Sequence, residues 1–194
     1  MNLLEWSALE VMAAVFGVIS VYLSTRQNIW SWPTAIVNVA LYAFVFYQGR
    51  LYGQMGLQPI YLGLSVYGWY QWLHGGEQRT ELRVSRASSR LLGALGVLNL
   101  ALWLALAAVL RLTDAALPWL DALLTTTSLV AQWMMTRKIL ENWLVWIALD
   151  VVYVPMFISQ GLYATALLYA AFLVLALMGF VEWRRSLVVR LSHA

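Results

Sequence analysis

Trp143, Trp146 and Asp150 fall at i, i+3 and i+7, so a helix through them lays two indoles and a carboxylate along one side. That set suits a flat, cationic, aromatic ligand. An indole face attracts a cation by about 0.5–2 kcal/mol per ring, and the carboxylate supplies the counter-charge. Two readings of Asp150 stand side by side. In one it meets a ligand; in the other it is a structural acid bonded to a Tyr, Asn or backbone group of a neighbouring helix. Each tryptophan likewise has a plainer reading as an anchor at a membrane–water interface.

Other stretches carry polar groups at the same helical rhythm. Asp121, Thr125, Ser128 and Gln132 are spaced 4, 3 and 4. Gln54, Gln58, Tyr61, Ser65, Trp69 and Trp72 follow suit, and Asn38 and Tyr42 sit at i, i+4. Four stripes facing one another make a polar passage, whereas turned toward lipid they would cost several kcal/mol per helix.

The residue inventory excludes several chemistries. There is no cysteine, hence no disulfide, thiolate nucleophile or cysteine–metal site. His74 lies in a linker and His193 at the tail, so no histidine is placed inside a helix to serve a nucleophile or hold a metal. The single lysine, Lys138, lies in a loop, which argues against a retinal Schiff base. No cofactor is expected, and an intramembrane enzyme is the weaker alternative to a carrier.

The elements that position these stripes are membrane spans. The chain is 62% hydrophobic and 11% charged, against about 45–50% and about 25% for soluble domains. Seven apolar stretches, at 5–24, 28–48, 51–73, 90–110, 117–136, 140–158 and 161–182, each approach the ~20 residues that cross a bilayer. The opening MNLLEW has no Lys or Arg, which marks a retained helix and not a signal peptide. Only residues 74–89, polar and arginine-bearing, are long enough to link two halves. The organisation expected is therefore a first unit over 1–73, a linker with an inverting fourth helix over 74–111, and a second unit over 112–194.

Alternate loops divide the basic residues ten to two. Arg26, Arg79, Arg83, Arg86, Arg90, Arg137, Lys138, Arg184, Arg185 and Arg190 fall on one side, Arg50 and Arg111 on the other. The positive-inside rule then puts the N-terminus outside and the C-terminus in the cytoplasm. A pI near 9.3 is thus a matter of topology and lipid headgroups, and no nucleic-acid partner is expected.

Sliding the chain against itself by 111 residues aligns Thr25–Arg26 with Thr136–Arg137, Trp32 with Trp143 and Tyr42 with Tyr153. It also aligns Phe46 with Phe157, Leu51–Tyr52 with Leu162–Tyr163, Gly68 with Gly179 and Trp72 with Trp183. Aligned Trp, Tyr and Gly are rarer coincidences than aligned Leu. Two three-helix units separated by one extra helix run the same way through the membrane, a plan that places a substrate site between the repeats.

Four segments carry a resemblance. They are NIWSWPTAIVNVALY (Asn28–Tyr42) with LYGQMGLQPIY (Leu51–Tyr61), YGWYQW (Tyr67–Trp72), and TTTSLVAQWMMTRKILENWLVWIALDVVYV (Thr125–Val154), closed by Gly179 and Trp183. Together they resemble the PnuC family of vitamin transporters over nearly the whole chain. The resemblance implies an all-α integral membrane protein in a three-plus-one-plus-three arrangement related to SWEET sugar transporters. It implies a homotrimer in the bacterial cytoplasmic membrane. It also implies uptake of nicotinamide riboside by facilitated diffusion, with trapping by intracellular phosphorylation. The family's WxxW motif, here Trp143 to Trp146, lies at the substrate site, and polar residues of the third and fifth helices line the same cavity. By stripe position these are Gln58, Tyr61, Ser128 and Gln132, with Asn38 and Asp150 beside them. Thiamine and riboflavin carriers belong to the same family. Thiamine, like nicotinamide riboside, is a flat cation, so the Trp pair and Asp150 do not separate those two. The intact WxxW favours nicotinamide riboside.

Overall fold

A chain this apolar must satisfy its backbone polar groups internally, and helices do so within a single segment. The computed structural model describes residues 8–48, 52–112, 117–159 and 163–191. Arg50, Leu51, Leu162 and His193, named above, lie outside them, as do the side chains of Phe46, Tyr52 and Gln54.

The described residues form seven α-helices: α1 (Ala8–Thr25), α2 (Ser31–Gln48), α3 (Tyr52–His74), α4 (Ser89–Leu110), α5 (Pro118–Thr136), α6 (Asn142–Ser159) and α7 (Tyr163–Leu191). A single 3₁₀ turn, Glu77–Arg79, interrupts the linker. Four helices are long and apolar enough to cross a membrane: α1, α4, α6 and the Thr165–Val189 part of α7. Helices α3 and α5 have spanning length, 23 and 19 residues, but carry the polar stripes. The main departure from the expected spans is α7, which runs on to Leu191. The stretch after Trp183 contains no Gly or Pro to stop it, so the helix continues as a polar extension bearing Arg184 and Arg185.

Local signals account for several helix ends. The Ser88 side chain caps α4 by accepting from the Leu91 N–H, and Pro118 occupies the first turn of α5. Pro33 sits in the first turn of α2, where its missing N–H costs nothing. Pro59 and Pro155 interrupt α3 and α6 from within.

Helices α1, α2 and α3 pack in succession, as do α5, α6 and α7, and the two groups meet where α1 touches α7 and where α3 touches α5. Helix α4 packs on α5. The 111-residue offset recurs atom by atom at one end. Trp72 Nε1 donates to the Met135 carbonyl (3.1 Å), and Trp183 Nε1 donates to the Ser24 carbonyl (3.0 Å). Trp32–Trp72 and Trp143–Trp183 stand edge-on with the same 5.3 Å centroid spacing, at 88° and 87°. Gly68 and Gly179 lie flat beneath the indoles of Trp32 and Trp143, where no side chain would fit. The tight turns at Gln27 and Lys138 both take a positive φ, 55° and 48°. They are closed by matching bonds, Asn28 N to Leu23 O (2.9 Å) and Ile139 N to Met134 O (3.1 Å).

Candidate functional site

Polar and aromatic side chains from four helices converge in the interior. Tyr61 on α3 and Ser128 on α5 share a 2.8 Å hydrogen bond across the two helix groups. Ser128 also donates to the Thr125 carbonyl at 2.8 Å, which fixes its rotamer. Asp150 on α6 is only 3% exposed, and among the described residues no hydrogen bond or ion pair reaches its carboxylate. The tyrosines 153 and 169 lie within its electrostatic reach, and Tyr169 also senses Tyr42 and Tyr61. Tyr153, Phe157, Tyr169 and Phe172 form a continuous aromatic wall, with neighbouring ring centroids 4.7 to 5.7 Å apart.

A buried acid without a protein partner is costly. It persists where a water, a proton or a cationic ligand compensates it. A hydroxyl pair, a carboxylate and an aromatic wall gathered from different helices are groups that suit a molecule polar at one end and flat at the other.

The offset shows how this site differs from the symmetric tryptophan end. Gly17 and Ser128 are equivalent positions, as are Gln58 and Tyr169, and Tyr61 and Phe172. Their contacts correspond: Tyr61 meets Ser128, and Phe172 meets Gly17, where a built Cβ would lie 3.6 Å from the ring. One unit thus presents hydroxyl and amide where the other presents aromatic surface.

The other predicted residues are placed as follows. Gln58 is buried on α3, and Gln132 is half-buried on α5. Asn38 donates to the Ala13 carbonyl at 2.6 Å and so ties α2 to α1. Trp143 is 1% exposed, enclosed by Trp183 and Gly179. Its ring meets the Trp183 ring edge-on. Trp146 is half-buried and packs on the margin of the same cluster. Tyr153, Tyr169 and Phe172 were not among the residues singled out from sequence. Their signal was present in the repeat, which pairs them with Tyr42, Gln58 and Tyr61.

Two cavities, of about 540 and 420 Å³, open at the basic end. The first is lined by Arg26, Glu182, Arg185 and Ser186, the second by Thr80, Glu81, Arg83 and Lys138, and both by Gln27. Lys138 is 6% exposed, with its ammonium 4.4 Å from the centre of the Trp72 ring. Burial pushes its pKa down from 10.5 to about 8, against the opposing pull of Glu81.

The profile of a family described as nicotinamide mononucleotide transporter matches residues 7–185. The chain belongs to this transporter family. It is therefore a multi-pass membrane protein of a transporter class. The transporter is 29% identical to the nicotinamide riboside transporter PnuC of Escherichia coli, over 98% of this chain and 90% of that one. It is 28% identical to the riboflavin/roseoflavin transporter RibM of Streptomyces davaonensis, over 92% and 84% respectively. Its fold matches a crystal structure of the vitamin B3 transporter PnuC with a TM-score of 0.74, at 24% identity, covering 91% of this chain and 80% of that one.

Proposed function

We propose that the transporter carries nicotinamide riboside across the membrane, and that the interior cluster around Asp150 is its binding site. The observation that carries this reading is the buried Asp150 carboxylate, without a partner among the described residues, near an aromatic wall. A pyridinium ring needs both, and the ribose hydroxyls match Tyr61, Ser128, Gln58 and Gln132. Trp146 meets the ring from the tryptophan side, with Trp143 packed behind it as support. Asn38 holds α2 on α1 at the edge of the site.

The units proposed are residues 1–73 and 112–194, running parallel in a three-plus-one-plus-three arrangement of the SWEET type, with 74–111 as linker and inverting helix. The duplicated hydrogen bonds and glycine–tryptophan contacts support it. The basic end lies in the cytoplasm by the positive-inside rule, so the N-terminus is outside. The two units rock against each other to expose the site alternately. Transport is facilitated diffusion in a bacterial cytoplasmic membrane, by a homotrimer, with phosphorylation of the vitamin inside the cell keeping the gradient favourable.

The test is uptake of labelled nicotinamide riboside into proteoliposomes with neither ATP nor an ion gradient. Uptake is expected with the wild-type chain, and Trp146→Ala should abolish binding; near-wild-type affinity in that variant excludes ring stacking there. The likeness to RibM favours riboflavin as a second reading. Its uncharged ring has no use for Asp150, so a parallel titration of the two vitamins separates them.

A further inference from the structure

From sequence, residues 74–89 are a polar, arginine-bearing linker. Residues 81–87 lie in the seam between the two helix groups at the basic end. The chain doubles back after Trp72 through Gly75 and Gly76, where an added Cβ would strike the Gln71 and Glu81 carbonyl oxygens at 2.5 and 2.6 Å. Leu82 N then donates to the Trp72 carbonyl (3.0 Å) at the end of α3. Ser85 N donates to Lys138 O (3.0 Å) and Ser85 O accepts from Leu140 N (2.9 Å), a parallel bridge to the α5–α6 turn. Glu141 completes the attachment, accepting from Ala87 N (2.9 Å) and Arg86 Nε (3.0 Å). Between these anchors Val84 is 4% exposed and belongs to the same buried cluster as the four tryptophans, Met135 and Leu140.

The Gly75–Gly76 turn that leads into the strap is not repeated at the equivalent positions 186–187, which are helical. After Trp183, the equivalent of Trp72, the chain continues as helix, and Leu187 of that extension packs on the same tryptophan cluster. A continuous helix is stiff. A short extended segment held by a few backbone hydrogen bonds and one buried valine opens at far lower cost. The 420 Å³ cavity beside Leu82, Arg83 and Val84 leaves that flank unpacked.

We propose that residues 81–87 are the gate at the basic end, a strap that stays with the second unit and lets go of the first when the carrier opens there. The uneven anchoring dictates the direction. Four bonds hold the strap to the α5–α6 turn, and one, Leu82 N to Trp72 O, holds it to α3. Rocking that parts the units breaks the single bond and withdraws Val84 from the tryptophans, and a ligand leaves through the gap. The inference rests on the transport reading for its consequence, though not for its geometry.

The chain has no cysteine of its own, so paired cysteines report cleanly. Leu73→Cys with Arg83→Cys, joined by a short bis-maleimide, ties the strap to α3. This tether should cut nicotinamide riboside uptake at least tenfold relative to the same variant capped with N-ethylmaleimide, while binding in detergent stays within twofold. A disulfide between Ser85→Cys and Ile139→Cys ties the strap to the second unit and should leave uptake intact. Equal uptake by the tethered and capped Leu73/Arg83 variant overturns the gate, as does joint loss of binding and uptake. A second arm needs no substrate. Single Val84→Cys in inside-out vesicles should react with an impermeant maleimide at least tenfold more slowly than single Arg83→Cys, and equal rates overturn the seated strap. Absence of nicotinamide riboside uptake by the wild-type chain would refute the substrate reading alone, and the labelling arm would still decide the strap.

Discussion

Gly179→Ala tests whether the tryptophan end is packed as tightly as the structure shows. A Cβ built on Gly179 falls 2.5, 2.6 and 2.7 Å from three atoms of the Trp143 indole. Comfortable carbon contacts begin near ~3.5 Å, so the ring must retreat by about 1 Å. It has little room to move, because Trp183, one turn along the same helix as Gly179, stands edge-on at 5.3 Å and the indole is 1% exposed. Overpacking of this kind costs about 1–3 kcal/mol. The measurement is equilibrium unfolding in mixed micelles, followed by tryptophan emission. The same substitution in a Trp143→Leu background should cost less than about 0.5 kcal/mol, since contacting residues couple and distant ones add. Gly68→Ala, under Trp32, should repeat the effect and its rescue by Trp32→Leu. A neutral Gly179→Ala, or one equally harmful with and without Trp143, would refute the packing argument.

Asp150→Asn keeps the shape and removes the charge. It should weaken binding of cationic nicotinamide riboside at least tenfold and leave riboflavin unaffected, and equal loss of both would deny Asp150 its counter-charge role. Tyr61→Phe removes the hydroxyl that bridges to Ser128, while Phe already occupies the equivalent position at 172. It should lower unfolding free energy by about 0.5–1.5 kcal/mol and weaken ribose binding several-fold, both absent if the bond is idle. Lys138 gives a pH signature. Its pKa is lowered from 10.5 to about 8 by folding, so the unfolded state holds more protons between those values and stability should rise with pH across that window. Below it the group is charged in both states and contributes no slope. Lys138→Met should erase the difference, and thermal melts in detergent at pH 7, 8, 9 and 10 would show it; identical pH profiles for the two proteins would contradict the buried ammonium.

Much of the architecture was legible in the residues alone, because bilayer chemistry leaves few options. Twenty apolar residues in a row must be helical there, and the polar stripes of α3 and α5 could be read at their helical spacing. The offset of 111 followed from rare residues that repeat in register, and it anticipated the pairing of Trp32 with Trp143 and Trp72 with Trp183. Arginine counting put Arg26, Arg83, Lys138 and Arg185 on one side, and the structure gathers them around the two cavities. What helical periodicity does not contain is the identity of the neighbour a face meets. Trp143 and Trp146 share a face in sequence, yet Gly179 and Trp183 enclose the first while the second stays half-buried. Asn38 looked like a ligand contact, and the Ala13 carbonyl claimed it. Tyr169 and Phe172 gain meaning only because α7 lies against α6 and α1.

The linker makes the same point most sharply. Its charge pattern, RTELRVSRASS, reads as solvated chain, and one valine among arginines carries no periodic signal. Composition and spacing determined that this is a helical membrane protein built twice over, because those follow from local energetics summed along the chain. That residues 81–87 bond to the α5–α6 turn and to α3, that Tyr61 meets Ser128 across the helix groups, and that Asp150 lacks a partner among the described residues were decided by tertiary contact, because burial and hydrogen bonding are set by which surfaces meet.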